Sequence, residues 1–469
     1  MRLRKGCNAA MGAKTRFHVS IFSGCSANAI GPFKTFARTS EKYLTGYMNT
    51  AETKHQRSIA VVGAGIVGAA TTLALAAEGH AVTVIDRGDV GAGTSFGNAG
   101  GIVGGAVTPT ATPGVIRSIP SYIFDRHGAA VLRPAYVFQA LPWLLRFIVA
   151  GRPARVASIA TALHPLVSNA MRAHRDLAGL SDALDFIRPV GWLKVYGSEA
   201  AFSKTVLERE LMTRHGVNFS ILHAREIADL EPKLNKDAYT CGIFQPESGF
   251  VNYPMGLAQA YFEGALQRRA QYVQENVQEI RPLSDGGISV RTDQTARRFD
   301  SVVIATGAWS KQFATQLGDR VCLDTERGYH ISLGLTDGPL LSRPVGFPGK
   351  DCVLSPMHDG ISVISGDELA GLNAPPDFRR IRALVPFVHS VLPGTRLQPV
   401  QREWMGHRPS TPDSLPVIGR SPRCNNVFYA FGHGHLGLTL SAITAQLIAG
   451  MVSGRADPFD LTPYRIARF

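Results

Sequence analysis

Residues 58–86 constrain the fold of this chain more than any other segment. The run Ser58–Gly63 is apolar, rich in β-branched side chains and stops at a glycine, which is typical of a buried strand. Ile66–Glu78 is rich in Ala and Leu with helical spacing, Gly79 is a natural end for that helix, and Ala81–Asp86 is a second strand-like run. Parallel strands joined by a helix predict an α/β fold with a doubly wound parallel sheet.

The turn between the first strand and the helix has the spacing of a phosphate-binding loop. Gly63 permits the tight turn, Gly65 lets the backbone approach a pyrophosphate, and Gly68 lets the helix pack closely on the strand. The helix N-terminus presents free N–H groups and a partial positive charge to the phosphates. Asp86, at the end of the second strand, is placed to accept hydrogen bonds from ribose hydroxyls. Together these features predict a Rossmann-like dinucleotide-binding domain.

Two segments far apart in the sequence favour a flavin dinucleotide over a nicotinamide dinucleotide. Thr94–Ile102 (TSFGNAGGI) has the small residues that let backbone lie against a large planar group. Gly432–Thr439 (GHGHLGLT) precedes a second predicted helix, whose N-terminus carries a partial positive charge. Such a charge favours reduced flavin, which develops negative charge at its N1/C2 carbonyl edge. A nicotinamide enzyme has no need for a second turn of this kind so far downstream.

The charge and the cysteine content exclude several other classes of function. The net charge is +13, but residues 1–56 contribute nine Lys or Arg against Glu41 and Glu52, so residues 57–469 carry only +6. This body contains no basic run with interleaved aromatic residues, and no nucleic-acid partner is expected. The six cysteines form no C-x-x-C pair, so no metal site is predicted. They are typical of reduced thiols in the cytoplasm.

The N-terminal region is expected to lie outside the folded body. Residues 1–47 contain Arg and Ser, are poor in acidic residues and lack the apolar core of a secretory signal. We expect a disordered basic leader over residues 1–56. It is either a transit-like segment or sequence upstream of a start at Met48, and Met48 is favoured because it lies ten residues before the first strand.

The segment Ala135–Ala150 (AYVFQALPWLLRFIVA) comes nearest to a membrane span. Gln139, Pro142 and Arg146 interrupt it, and it is shorter than the ~20 apolar residues of a spanning helix. One interpretation is a buried helix. The other is an interfacial segment that contacts a bilayer without crossing it, in a cytoplasmic protein that is peripheral on the inner face of the cytoplasmic membrane.

With these motifs in view, the chain resembles the D-amino-acid oxidase superfamily of flavoproteins, and most closely its D-amino-acid dehydrogenase branch. Three further segments carry the resemblance: Val303–Ser310 (VIATGAWS), Arg408–Asp413 (RPSTPD) and Pro416–Gly419 (PVIG). The matched positions span Ile59–Gly454. The resemblance implies an FAD cofactor in the Rossmann-like domain and an inserted α+β substrate domain that contains an antiparallel sheet.

The resemblance also implies which residues contact FAD. They are Gly63, Gly65, Ile66, Val67, Gly68, Asp86, Arg87, Thr94, Ser95, Asn98, Gly100, Gly101, Ile102, Val277, Thr306, Gly307, Gly432, His433, Gly434, Leu436, Gly437 and Thr439. Related sarcosine oxidases attach the flavin to a cysteine just before the stretch aligned with TPD. Glu403–Asp413 contains no cysteine, so we expect non-covalent FAD.

Four residues are candidates for contact with the substrate. Arg408 matches the arginine that binds the substrate carboxylate in the family's amino-acid oxidases, and a planar guanidinium can hold a carboxylate through two parallel hydrogen bonds. The alternative for Arg408 is a structural ion pair with a nearby acid. Tyr253 and Tyr329 are further candidates, each equally explained as a core tyrosine with a satisfied hydroxyl, and His330 is a weaker candidate.

The implied reaction is FAD-dependent oxidative deamination of a small-molecule amino-acid substrate. Hydride passes from the substrate Cα to flavin N5, and the imino acid then hydrolyses to a 2-oxo acid. A dehydrogenase passes the electrons to a quinone or another carrier. Two alternatives stay open: a sarcosine- or glycine-type amine oxidase that uses oxygen, and a flavin-binding scaffold without amine turnover.

The order of strand-like and helix-like segments predicts two interleaved domains. The predicted FAD-binding domain consists of residues 57–108, 216–240, 268–318 and 396–469. The predicted substrate-binding domain consists of residues 109–215, 241–267 and 319–395. Within the second domain, Val321–Leu335 and Cys352–Ser365 alternate between apolar and polar residues as antiparallel strands do.

Overall fold

The computed structural model describes residues 56–124, 130–335, 340–393 and 397–469. The predicted leader lies outside the described residues except for Gln56.

The described strands form four sheets, one of six strands, one of nine and two of three. In chain order they are β1 (Ser58–Val62), β2 (Ala81–Asp86), β3 (Gly101–Ile102), β4 (Ala130–Leu132), β5 (Ile187–Arg188), β6 (Trp192–Tyr196), β7 (Ser220–His223), β8 (Cys241–Gln245), β9 (Gly249–Val251), β10 (Gln271–Gln274), β11 (Val277–Pro282), β12 (Ile288–Thr292), β13 (Ala296–Phe299), β14 (Ser301–Ile304), β15 (Asp324–Leu335), β16 (Val345–Phe347), β17 (Cys352–Met357), β18 (Gly360–Leu369), β19 (Leu397–Ser410), β20 (Val417–Arg420) and β21 (Val427–Phe431).

The described helices cover the sheets and connect them. In chain order they are α1 (Ile66–Ala77), α2 (Pro113–Phe124), α3 (Val137–Ala150), α4 (Pro153–Gly179), α5 (Glu199–Ser203), α6 (Val206–Arg214), α7 (Ala224–Leu230), α8 (Pro254–Gln267), α9 (Ser310–Gln316), α10 (Arg379–Arg382), α11 (Val385–Val391) and α12 (Gly437–Val452).

The six-stranded sheet has the order β10-β2-β1-β14-β21-β20. The pairings are parallel except for that of β20 with β21. In β1, Ile59 and Val61 belong to one buried cluster with α1 and α12, whereas Ala60 and Val62 belong to another with β11, β12 and α9. Both faces are covered, which explains why this strand is apolar throughout instead of alternating. The predicted α/β class with a doubly wound parallel sheet is confirmed.

The nine-stranded sheet is mostly antiparallel and has the order β19-β15-β18-β17-β16-β6-β8-β7, with β4 beside β18. The two segments predicted as antiparallel strands are confirmed as β15, β17 and β18. β15 pairs with β18 on one side and with β19 on the other. It therefore lies between the strand that carries Asp367 and the strand that carries Arg408.

Three segments lie elsewhere than the predicted domain boundaries place them. β7, within residues 216–240, pairs with β8 in the nine-stranded sheet. β19, within residues 396–469, pairs with β15 in that same sheet. α8, within residues 241–267, packs against α1 over the parallel sheet. In each case a partner distant in the sequence decides where the segment lies, and local composition carries no sign of that partner.

The apolar segment Ala135–Ala150 has one buried face and one exposed face. The helix α3 buries Ala140, Trp143, Phe147 and Ala150. Its exposed large apolar residues are Phe138, Leu141, Leu145, Ile148 and Val149. The predicted buried helix therefore describes one face of α3, and the other face is apolar and open to solvent.

One helix of the described part, Gly434–Val452, is long and apolar enough to cross a membrane. However, 72% of its apolar window is buried inside the fold, where α12 packs against α1 and α4. Its composition is therefore explained by its place in the core.

Candidate active site

A cavity of about 830 Å³ lies at the carboxyl ends of the parallel strands. One wall is formed by the loops that follow β1, β2, β14 and β21. The opposite wall comes from β6, β16, β17, β18 and β19 of the nine-stranded sheet. This is the position at which doubly wound sheets bind dinucleotides, because their strand ends and helix N-termini converge there.

The phosphate end of the cavity is formed mainly by backbone. Gly63 has φ +105°, and a Cβ there would lie 2.5 Å from the carbonyl oxygen of Ala305. A Cβ on Gly68 would lie 1.9 Å from the carbonyl oxygen of Gly63, so glycine is required at both positions. The N–H of Ile66, at the start of α1, donates to Ser95 Oγ over 2.9 Å. A phosphate at this helix N-terminus would meet both groups.

Asp86 is fixed beside the glycine turn by two backbone hydrogen bonds. Its Oδ2 accepts from the N–H of Ala64 at 2.6 Å, and its Oδ1 accepts from the N–H of Gly88 at 2.9 Å. Each oxygen keeps a further lone pair, which could accept from a ribose hydroxyl. The guanidinium of Arg87 lies 4.6 Å from the ring centre of Trp309, and this contact holds both side chains at the cavity wall.

The two segments that favoured a flavin meet in space. Thr439 Oγ1 donates to the carbonyl oxygen of Gly101 over 3.0 Å and accepts from the N–H of Val103 over 3.2 Å. These bonds join the loop that contains Thr94–Ile102 to the start of α12. Both segments line the same end of the cavity, and a helix N-terminus points there.

Most of the residues predicted to contact FAD line this cavity. They are Gly63, Gly65, Ile66, Val67, Asp86, Arg87, Thr94, Ser95, Asn98, Gly101, Val277, Thr306, Gly307, His433, Gly434, Leu436, Gly437 and Thr439. A cavity that runs from the phosphate loop to a second helix N-terminus, with close glycine contacts at its walls, fits an extended dinucleotide.

Four predicted FAD contacts do not line the cavity. Gly68 packs against Gly63, as its role in helix packing requires. A Cβ on Gly100 would lie 2.3 Å from the carbonyl oxygen of Val251, so that glycine serves the packing of the loop. Ile102 is fully buried in the core, and Gly432 has φ +80° and takes the chain through a turn.

Arg408 lines the cavity and is held by two hydrogen bonds from one nitrogen. Its Nη1 donates to Asp367 Oδ1 over 2.5 Å and to the carbonyl oxygen of Gly366 over 2.9 Å. Among the described residues, Nε and Nη2 have no hydrogen-bond partner. The guanidinium lies across Gly328 of the neighbouring strand, where a Cβ would be 2.2 Å from Nη2. The ion pair predicted as the alternative for Arg408 is present, and it leaves the Nε–Nη2 edge unused.

A chain of ionisable groups extends from Arg408 toward the start of α12. Asp367 Oδ1 lies 2.9 Å from His435 Nε2, and His435 Nδ1 lies 3.8 Å from Glu326 Oε2. Burial opposes ionisation of Asp367, but nearby His435 and Arg408 outweigh it and lower the pKa of Asp367 below its usual range. Burial raises the pKa of Glu326, whose Oε2 accepts from Ser410 Oγ at 2.6 Å.

Tyr329 does not line the cavity, so its contact with the substrate remains a prediction that its position does not favour. The side chain is buried on the opposite face of β15, where its hydroxyl donates to Glu368 and accepts from the N–H of Asp377 at 3.3 Å. It is the core tyrosine with a satisfied hydroxyl that was the alternative interpretation. Burial raises the pKa of Tyr329, and the hydrogen bond to Glu368 adds to that rise.

Tyr253 and His330 line a separate cavity of about 30 Å³ together with Phe96 and Asn98. The His330 ring stacks on Trp404 with 5.3 Å between ring centres, and the Trp404 ring lines the main cavity. His330 thus contacts Trp404 beside the main cavity, and burial lowers the pKa of His330. Direct contact of Tyr253 or His330 with the substrate remains a prediction that this arrangement does not favour.

Trp404 and Asp367 line the cavity and were not predicted from the sequence. A Cβ on Gly97 or on Gly406 would lie 2.0 Å from the Trp404 ring, so both glycines make room for it. Trp404, Gly406 and Arg408 alternate along β19, which places them on one face of the sheet. That spacing is a sequence signal for Trp404. Asp367 has no comparable signal, because its partner Arg408 lies on another strand.

The comparisons with known proteins agree with this geometry. The profile of the DAO family, described as FAD dependent oxidoreductase, matches residues 58–451. A D-amino-acid oxidase from Bradyrhizobium diazoefficiens is 34% identical over 419 residues, which cover 88% of this chain and 99% of the relative. D-amino acid dehydrogenase 2 from Ralstonia nicotianae is 30% identical, with 87% of this chain and 100% of the relative covered.

Solved structures share the fold at lower sequence identity. Glycine oxidase from Geobacillus kaustophilus superposes with a TM-score of 0.69 at 22% identity, covering 88% of this chain and 99% of that one. L-proline dehydrogenase from P. horikoshii superposes with a TM-score of 0.67 at 18% identity, covering 88% and 98%. The resemblance inferred from the motifs is thereby confirmed: the chain belongs to the DAO family of FAD-dependent oxidoreductases.

Proposed function

We propose that this enzyme oxidatively deaminates amino acids, and that its substrates are D-amino acids. The observation that carries the proposal is the Nε–Nη2 edge of Arg408, which has no hydrogen-bond partner among the described residues and lines the cavity that begins at the phosphate loop. That edge has the two parallel N–H groups that a carboxylate needs. The names of the relatives at 34% and 30% identity, an oxidase and a dehydrogenase of D-amino acids, support the same substrate class.

The side chains of this cavity position the substrate and exclude water. FAD, held without a covalent bond, supplies the hydride acceptor when it is bound. Arg408 holds the substrate carboxylate and so restricts the orientation of the Cα–H bond. Trp404 covers the cavity wall beside Gly97 and limits access of water. The substrate reacts with a neutral amine, and removal of water from its ammonium group favours loss of that proton.

The direct test is anaerobic reduction of the flavin by a panel of amines. The panel contains D- and L-amino acids, glycine, N-methylglycine and hydroxyproline isomers, and the loss of flavin absorbance is followed. We expect reduction by D-amino acids at rates at least about tenfold above those for their L-enantiomers. Preferential reduction by glycine and N-methylglycine would favour the amine-oxidase alternative. A flavin that no amine reduces would favour the scaffold.

For the electron acceptor we propose a quinone or another carrier at a membrane surface. The exposed apolar residues Phe138, Leu141, Leu145 and Ile148 recur at helical spacing along α3 and form one stripe. Phe138 is 85% exposed. Exposed Arg152 and Arg155 follow the helix, and an apolar stripe with basic residues at one end suits the surface of an anionic bilayer. The proposed location is therefore cytoplasmic and peripheral on the inner face of the membrane.

Oxygen is the alternative acceptor, because the relative at 34% identity is named an oxidase. Two measurements separate the acceptors: the yield of hydrogen peroxide under air and the rate of reduction of a soluble quinone. We expect quinone reduction to exceed peroxide formation. One peroxide per substrate oxidised, without quinone reduction, would reject the dehydrogenase.

Membrane contact is tested by cosedimentation with vesicles of phosphatidylglycerol and phosphatidylcholine. We expect binding that Phe138→Ser with Leu145→Ser reduces by at least about tenfold, because two apolar side chains no longer enter the interface. The matched control is Leu184→Ser with Val206→Ser, which removes two exposed apolar side chains outside α3. Equal loss of binding in both double variants, or no binding of the unaltered protein, would contradict the proposal.

A further inference from the structure

Asp367 lines the cavity beside Arg408, the proposed carboxylate anchor, and only one of its two carboxylate oxygens has a partner among the described residues. Its Oδ1 accepts from Arg408 Nη1 and lies 2.9 Å from His435 Nε2. Its Oδ2 has no hydrogen-bond partner among the described residues. The side chain is 46% exposed, compared with 15% for Arg408, and both line the cavity. Asp367 therefore holds Arg408 with one oxygen and presents the other to whatever binds next to Arg408.

A second carboxylate, that of Asp351, lines the same part of the cavity. Burial raises the pKa of Asp351, and the charge of Asp367 adds to that rise, so the two carboxylates act on each other electrostatically. Lys194 also lines the cavity, but its Nζ forms an ion pair with Glu208 over 2.6 Å. Beyond the carboxylate anchor, this region of the cavity therefore contains two carboxylates, and His435, 2.9 Å from Asp367 Oδ1, is the ionisable group that can offset one of them.

We propose that Asp367 is a specificity-determining residue, which favours substrates with a cationic side chain over substrates with a second carboxylate. The inference rests on the proposed function, because it requires the substrate carboxylate at Arg408. Because Asp367 and Arg408 line the same cavity, the side chain of a substrate held there can reach Asp367 Oδ2. Opposite charges at about 6 Å in a partly solvated site change binding by about tenfold, and like charges change it by a similar factor in the other direction.

Asp367→Asn isolates the charge of this residue. The amide is similar in shape, and its carbonyl oxygen can still accept from Arg408 Nη1, so the anchor stays in place. The first measurement is kcat/KM for D-lysine, D-norleucine and D-glutamate. In the unaltered enzyme we expect D-lysine to exceed D-glutamate by at least about tenfold, and we expect Asp367→Asn to reduce that ratio by about tenfold. The value for neutral D-norleucine reports any change at the anchor itself, so the charge preference is taken as the D-lysine and D-glutamate values relative to it.

The second measurement is binding without turnover, by calorimetry with the FAD-loaded enzyme. The ligands are 4-guanidinobutyrate, butyrate and glutarate, which carry a cationic, a neutral and an anionic end opposite the carboxylate. We expect affinity to fall in that order, and we expect the differences in affinity among the three ligands to become smaller in Asp367→Asn. Asp229→Asn, which removes an exposed acid on α7, is the matched control and should leave the order unchanged.

The outcomes distinguish this inference from the proposed function. A charge preference that is absent or reversed in the unaltered enzyme, or that survives in Asp367→Asn, overturns the role of Asp367 and leaves amino-acid oxidation intact. If no amino acid reduces the flavin, the proposed function fails. The calorimetric affinities then test the role of Asp367 alone. Differences among the three ligands that become smaller in Asp367→Asn support this role, and unchanged differences overturn it.

Discussion

Two ion-paired clusters lie on opposite faces of the nine-stranded sheet and differ in exposure and in the number of their partners. On the cavity face, Arg408 meets Asp367 with one nitrogen, and part of each charge remains available to a ligand. On the opposite face, Glu368 Oε1 accepts a hydrogen bond from Arg133 Nε at 2.7 Å. Guanidinium nitrogens of Arg327 and Arg380 lie within 3.8 Å of the same carboxylate. Glu368 and Arg327 are 2% and 0% exposed.

The difference shows that adjacent residues of one strand can have separate roles. Asp367 and Glu368 are neighbours on β18, and strand geometry sends their side chains to opposite faces. The buried cluster is saturated, because Arg327 also donates to the carbonyl oxygen of Gly371 from two nitrogens. We expect the buried cluster to determine stability and the cavity cluster to determine binding. Three experiments test this contrast, and a fourth tests a buried histidine outside both clusters.

The largest expected effect is that of Glu368→Gln on stability. Loss of this charge leaves Arg327 buried without a counter-ion, and breaking a buried pair costs about 3–5 kcal/mol. The free energy of unfolding, measured in urea, should fall by that amount. Asp367→Asn at the next residue is the control and should lower it by less than about 1 kcal/mol, because the group is half exposed. Equal losses would show that the two clusters do not differ in this way.

The next effect is that of Arg408→Ala on catalysis. Without the guanidinium the substrate carboxylate loses two charge-assisted hydrogen bonds, worth about 2–3 kcal/mol. We expect kcat/KM for amino acids to fall by about 30- to 150-fold, with a rise in KM, and the free energy of unfolding to stay within about 1 kcal/mol. Arg379→Ala, which removes an exposed arginine paired with Asp377, is the control. An unchanged kcat/KM would contradict the assignment of Arg408 as the residue that binds the substrate carboxylate.

A smaller effect is expected at Gly328, which contacts the guanidinium of Arg408. Alanine there would place a Cβ 2.2 Å from Arg408 Nη2, so the side chain must shift. We expect KM to rise by about tenfold for Gly328→Ala, with kcat reduced less, because a displaced anchor binds the carboxylate in a poorer geometry. Gly179→Ala, where the added Cβ meets nothing within 4 Å, should leave KM unchanged. A KM unaffected by Gly328→Ala would show that Arg408 moves freely.

The smallest effect concerns pH and the turn before α12. His433 is buried beside Thr444, with 3.0 Å between Nε2 and Oγ1, and burial lowers its pKa to about 3. The imidazole of His433 takes up a proton near pH 6.5 in the unfolded chain but stays neutral in the folded chain at that pH. The contribution of neutral His433 to stability is therefore complete above pH 6.5 and is lost as pH falls toward 3.

His433→Asn should therefore reduce the loss of unfolding free energy between pH 6.5 and pH 4, by up to about 1 kcal/mol per pH unit. The comparison is made between variants at each pH by denaturation in urea. Thr444→Val removes the hydrogen bond but not the titrating group, and its slope should match that of the unaltered protein. Identical slopes in all three proteins would contradict the assignment.

The phosphate half of the site was predictable because it is local in sequence. Gly63, Gly65 and Asp86 lie within one strand–helix–strand unit, and the turn geometry requires their residue types. The substrate half depends on pairings between distant strands. Asp367 meets Arg408 only because β18 and β19 both flank β15. Tyr329 and His330 are adjacent on one predicted strand, so parity alone shows that both could not face the same cavity.

The position of the last strand and helix has a consequence for biosynthesis. β21 lies beside β14 inside the parallel sheet, and α12 packs against α1, so these neighbours of the phosphate loop are synthesised long after the loop itself. A nascent chain that lacks residues 427–452 has the glycine turn but neither the neighbouring strand nor the second helix N-terminus. The complete site therefore forms only after residues 427–452 have been synthesised, and we expect pairing across this sequence distance to be a slow step of folding.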